Sequence, residues 1–73
     1  MARRQVRVVP GSRGWEIKEG GRVLARAGTK ANAVRRGRAI AQAMQPSQLI
    51  IHRKDGTFES EYTYGGDPYP PRG

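Results

Sequence analysis

Seventy-three residues carrying 14 Lys/Arg, 6 Asp/Glu and a formal net charge of +8 make one small domain at most. Leu, Ile, Val and Phe number only 12, so the core is thin and a large enclosed active site is excluded. No cysteine and a single histidine are present, which removes disulfides, thiolate chemistry and a Cys- or His-cluster metal site.

Gln5–Val9 is β-branched and partly alternating, and it stops at Pro10-Gly11, so it predicts a short strand and a turn. Trp15–Lys18 alternates apolar and polar, Gly20-Gly21 follows, and Arg22–Arg26 is again strand-like, a hairpin pattern. Thr29 is placed to cap a helix over Lys30–Gln45, which is Ala-rich and ends before Pro46. At 100° per residue, Ala33, Val34, Gly37, Ile40, Ala41 and Met44 share one face. Arg35, Arg38 and Gln42 lie opposite, with Arg36 at the border. The inner face is mostly small, and Gly37 weakens the helix by about 1 kcal/mol relative to Ala, so a close approach to the sheet is expected there. Leu49–His52 is a strand, Arg53–Gly56 a turn, and Thr57–Thr63 the returning arm of a second hairpin.

The expected fold is α+β, a two-layer sandwich of order β-β-β-α-β-β, with an antiparallel sheet and one helix on one face. Trp15, Ile17, Leu49, Ile51, Phe58 and Tyr62 are the expected anchors. Residues 1–63 form the domain, opened by a short basic arm. Residues 64–73, with two Tyr and three Pro, form an extended tail expected to dock on the domain or on a partner. So thin a core also leaves room for a homodimer.

Three stretches together carry a resemblance: Val8-Val9-Pro10 with Gly14–Lys18; Thr29–Ala33 before a basic helix; and Ile51–Gly56 followed by Tyr64–Gly73. They resemble the small bacterial and phage family catalogued as domain of unknown function 2188, over nearly the whole chain. The Tyr64-Gly65 to Gly73 run is the most specific element. Arg53 stands where that family usually has Gly in the turn. The resemblance implies a fold and a bacterial or phage origin, and no activity. The order of elements is also similar to the arm-binding domains of tyrosine integrases, a fold-level analogy only.

Charge is the functional signal. Residues 1–38 hold 11 Lys/Arg and 2 acids, a net +9, while residues 39–73 sum to −1. Eleven of the 14 cations are Arg, whose planar fork pairs with phosphate. A pI near 11.2 with clustered Arg is the footprint of a polyanion binder. The expected contact surface combines the arm (Arg3, Arg4), the first loop (Arg13), the outer sheet face with the hairpin around Gly20-Gly21 (Arg7, Lys18, Arg22, Arg26) and the helix (Lys30, Arg35, Arg36, Arg38). Arg53 and Lys54 in the last turn complete the set. Each of these charges can equally be a solvated face. His52 has no evident catalytic partner, Asp55 reads as a turn former, and Trp15 as core.

The expectation is a small nucleic-acid-binding protein of the bacterial cytoplasm or nucleoid, or a phage accessory protein. Its contacts are mainly to phosphate, with weak sequence preference, and DNA is favoured over RNA. The alternative is a protein-interaction module, such as a phage factor binding a host protein. No catalytic set, phosphate loop or metal cluster is visible in the sequence, so no enzyme activity and no cofactor are expected. No apolar run is long enough to span a membrane.

Overall fold

A computed structural model describes residues 3–65. Met1, Ala2 and residues 66–73 lie outside the described part, and with them the expected docking of the tail. The elements are β1 (Arg4–Gly11), β2 (Gly14–Glu19), β3 (Arg22–Ala27), α1 (Lys30–Ala43), β4 (Ser47–His52) and β5 (Phe58–Tyr64).

The first three strands form an antiparallel meander, β1 to β2 to β3. The helix then carries the chain back across one face of the sheet. It delivers β4 to the far side of β1, and β5 turns back against β4. The sheet order is β3-β2-β1-β4-β5. The α+β class with one helix on one face holds, but the sheet is mixed: β1 and β4 run parallel, Val6 opposite Leu49 and Val8 opposite Ile51. The physical reason is the connection. A helix of 14 residues returns the chain to the end of the sheet from which β3 set out, so β4 runs in the direction of β3 and β1.

Thr29 caps α1 as expected: it is extended (φ −127°, ψ 157°) and its Oγ1 accepts from the Asn32 N–H at 3.2 Å. At the other end the Met44 N–H donates to the carbonyls of Ile40 and Ala41, both at 3.1 Å. Ala33, Gly37 and Ala41 are buried against Val6, Val8, Ile17, Leu49 and Ile51, which are the core. Val34, Ile40 and Met44 pack at its margin. Gly37 is where the helix comes closest: a Cβ there would lie 2.8 Å from Val8 Cγ2 and 3.2 Å from Leu49 Cδ1.

Two expected anchors are not core. Phe58 is 53% exposed and Tyr62 44%. The helix lies over β1 to β4, so β5 sits at the margin. Tyr64, assigned by the sequence to the tail, instead ends β5 opposite Ser47 and packs on the core.

Two bulges reset the faces of the edge strands. One lies at Ile17/Lys18 against β3, the other at Ile51/His52 against β5. Each puts an extra residue into the edge strand and shifts its alternation by one. Residues directly opposite in a ladder share a face. Arg26 therefore joins Glu16 on the open face, while Arg22 stands opposite Glu19 on the helix side. Simple alternation over the four residues from Arg22 to Arg26 predicts both on the outer face, and the bulge separates them. By the same rule Phe58 stands with His52 on the open face.

Candidate nucleic-acid interface

Among the described residues the cations do not form one patch. They divide between the two layers and the two edges, because the helix covers one face of the sheet and leaves the other open.

Arg3 and Arg4 are not a free arm. Arg3 Nη1 donates to the Gly65 carbonyl at 2.9 Å. Arg4 is already in β1, and its fork grips Glu19 with Nε–Oε2 at 2.6 Å and Nη2–Oε1 at 2.9 Å. That hydrogen-bonded guanidinium holds the Glu19 carboxyl below its ordinary 4.5, with Arg22 adding a weaker attraction. Lys30 stands at the helix N-terminus, where the helix dipole disfavours a cation. Glu59 pairs with it there, and the Trp15 ring lies 5.7 Å from its Nζ. Arg38 leans toward β5, with its guanidinium 5.5 Å from the Tyr62 ring and Nε 3.2 Å from the Tyr64 hydroxyl.

Arg53 and Lys54 occupy the β4–β5 turn. Arg53 Nη1 donates to the Phe58 carbonyl at 2.8 Å. Asp55 accepts from the Thr57 hydroxyl at 2.7 Å and from the Thr57 N–H at 3.0 Å. These bonds pull its carboxyl below the ordinary 3.8, with the Arg53 charge a smaller cause. Asp55 is thus the turn former that the sequence indicated, and Gly56 at φ 91° closes the turn.

Four cations do converge. Ser12, Arg13, Trp15, Glu16 and Arg26 line one surface depression. Arg26, Gly28, Asn32, Arg35 and Arg36 line a second, between the β3 edge and the helix. Arg26 belongs to both. Arg35 Nη1 donates to Asn32 Oδ1 at 3.2 Å, which fixes its direction. Among the described residues, the one carboxylate lining either depression is Glu16, 3.5 Å from Arg26 Nε. Arg13, Arg26, Arg35 and Arg36 thus follow one another around the β3 edge against a single acid.

The chain matches a family described as uncharacterized proteins conserved in bacteria, DUF2188, over residues 6–64. It belongs to that family. The DUF2188 match takes in β1 from Val6 and the other five elements in full, and it ends at Tyr64, the first residue of the Tyr64–Gly73 run. No curated protein and no solved structure matches the chain. Among the described residues, no helix of this DUF2188 protein is long and apolar enough to cross a membrane, and no three His, Asp or Glu side chains gather as a metal-holding group.

Arg7 and Lys18 form a separate pair. They face each other on β1 and β2, on the open face of the sheet. Among the described residues neither has a carboxylate in ion-pair range, where Arg4, Arg26 and Lys30 each have one. Sequence reasoning missed that His52 belongs with them. Its Nε2 lies 3.2 Å from Arg7 Nη1. No sequence signal could have found it, because it depends on the parallel register, which puts Arg7 opposite Ile50 and His52 two residues further on the same face.

Proposed function

We propose that this DUF2188 protein binds nucleic acid, DNA in the first place, through the rim of Arg13, Arg26, Arg35 and Arg36 at the β3 edge. The observation that carries the reading is the position of Arg26. It joins two adjoining depressions into one basic track in which four guanidinium groups meet one carboxylate. Guanidinium groups on a shallow rim suit phosphates, which lie on the outside of a duplex. Affinity then comes from counterion release, with little dependence on sequence. Arg3, Arg4, Arg22, Lys30, Arg38, Arg53 and Lys54 are outside this track. Most of them are engaged in holding the fold, and at most they add to the long-range attraction.

The test is fluorescence anisotropy with a random duplex. Four phosphate contacts lower the affinity about a hundredfold between 50 and 200 mM salt. Absence of binding at 50 mM salt overturns the reading and leaves a protein-interaction module as the better account.

A further inference from the structure

We propose that the open face of the sheet is a second binding surface, and that its ligand is a single-stranded stretch of nucleic acid. Phosphate rests on Arg7 and Lys18, and a base stacks on Phe58. The proposal rests on the nucleic-acid reading but uses none of the residues of the basic rim.

The starting point is the middle of the sheet. β1 is the central strand of five, and Arg7 is directly opposite Lys18. Like charges directly opposed across two strands repel. Among the described residues no carboxylate pairs with either, so the repulsion stands uncompensated. The Arg7 guanidinium is nevertheless held still. Nη2 donates to Gln5 Oε1 at 3.1 Å, and Nη1 donates to His52 Nε2 at 3.2 Å. His52 is set for this role: its Nδ1 lies 3.0 Å from the Gly56 carbonyl. A carbonyl only accepts, so Nδ1 carries the proton and Nε2 receives from Arg7. Both acceptors on Arg7 are neutral, so its charge is positioned without being cancelled.

The acids described on this face have partners of their own. Glu16 is beside Arg26 at 3.5 Å. Glu61, on edge strand β5, accepts from Gln48 Nε2 at 3.4 Å, and Gln48 in turn accepts from Gln5 Nε2 at 3.2 Å. A hydrogen-bonded row thus runs from Glu61 through Gln48 and Gln5 to Arg7, His52 and the Gly56 carbonyl.

Phe58 supplies the second half. Its ring is half exposed, opposite His52. From β1 to β5 is two strand spacings, about 10 Å, a distance that the long Arg7 side chain and one nucleotide bridge together. A duplex keeps the faces of its bases inside the stack and gains nothing from an exposed ring. A single strand offers unstacked bases, for which Phe58, flanked by the His52 ring, is a platform. No element of the described residues covers this face. An apolar protein surface docking here would bury two unpaired cations, which is unfavourable. A phosphodiester strand neutralises them.

The experiment compares a labelled 12-nucleotide single strand with a 12-base-pair duplex by anisotropy. It uses the full chain and the variants Phe58→Ala, Lys18→Gln and Arg35→Gln/Arg36→Gln. Phe58 and Lys18 lie outside the core, and melting curves verify that these variants fold. The expected result is a loss of about tenfold in single-strand affinity for Phe58→Ala, with duplex affinity unchanged. Lys18→Gln follows the same pattern, and the double helix variant shows the reverse. Single-strand affinity insensitive to Phe58 overturns this inference while duplex binding stands. Failure to bind either nucleic acid overturns both readings. Binding of polyglutamate in place of the oligonucleotide, lost in Lys18→Gln, assigns the face to an acidic protein segment and also overturns the proposal.

Discussion

Gly37 lies against Val8 so closely that a single added carbon would come within 2.8 Å of Val8 Cγ2. The neighbours of that carbon would be side chains of three different strands: Val8, Leu49 and Ile17. The glycine is the contact that lets a helix with a face of Ala33, Gly37 and Ala41 lie on β-branched residues without a gap. Gly37→Ala gains about 1 kcal/mol of helix propensity and loses about 1–3 kcal/mol to overpacking. The net expectation is destabilisation of about 1 kcal/mol, a fall in Tm of about 4–8 °C. In a Val8→Ala background the same change should be neutral or stabilising, because the crowding atom is gone. Urea denaturation of the four proteins measures the coupling. A Gly37→Ala protein with a raised Tm would show that the layers can separate at no cost.

That close approach was legible in the sequence, as were the Thr29 cap, the end of the helix before Pro46 and its inner face. All are local: a capping residue, a ring that cannot continue a helix, a period of 3.6. The partner of β4 was not legible. Val6, Val8, Leu49 and Ile51 announce two strands, but nothing in their pattern says that they lie side by side in parallel. The bulges were hidden for a related reason. Counting by twos from Arg22 gives Arg26 the same face, and one extra residue at Leu24-Ala25 reverses it. Phe58 was misread by the same arithmetic, and its ring turned from a supposed anchor into an exposed group. Of the candidate surface, the sequence showed the ingredients. The grouping of Arg13, Arg26, Arg35 and Arg36 depends on the β3 edge lying beside the helix, a tertiary fact.

Ser47 is wholly buried and polar, opposite Arg4 on β1 and Tyr64 on β5. Its hydroxyl donates to the Ala41 carbonyl in the last turn of the helix, an acceptor that otherwise has only a share, with Ile40, of the Met44 N–H. Ser47→Ala removes that donor and should lower stability by about 1 kcal/mol. Ser47→Val adds volume where the helix meets β4 and should be worse. Equal melting temperatures for wild type and both variants would refute the role of this bond.

Acid should weaken the fold through two identified groups. Glu19 is held below its ordinary 4.5, first by the hydrogen bond from Arg4. Asp55 is held below 3.8, first by the hydroxyl of Thr57. In both the folded state favours the deprotonated form. Their contribution is therefore complete above the unfolded values and lost as pH falls through the lower folded ones. Tm should be flat down to about pH 5 and decline below about pH 4. Glu19→Gln and Asp55→Asn should each lower Tm at neutral pH and reduce the acid-induced fall. A variant that loses as much as wild type between pH 5 and pH 2 would exclude that group as a source.

Arg22 and Arg26, four residues apart on one strand, should differ in their effect on duplex binding. Arg26 joins both depressions of the rim, while Arg22 is opposite Glu19 on the helix side. Arg26→Gln removes one phosphate contact, so the slope of log affinity against log salt should shrink by about 1. It also leaves Glu16 without its neighbour, adding repulsion at the same place. Arg22→Gln should leave the slope unchanged and shift affinity only slightly through long-range charge. Glu16→Gln is the sharper comparison, since it removes the single carboxylate lining the track and should strengthen binding while every arginine stays in place. Tighter binding by Glu16→Gln with no change for Arg22→Gln is the pattern that places phosphate on the β3 rim. Equal losses for Arg22→Gln and Arg26→Gln would mean that net charge alone drives association.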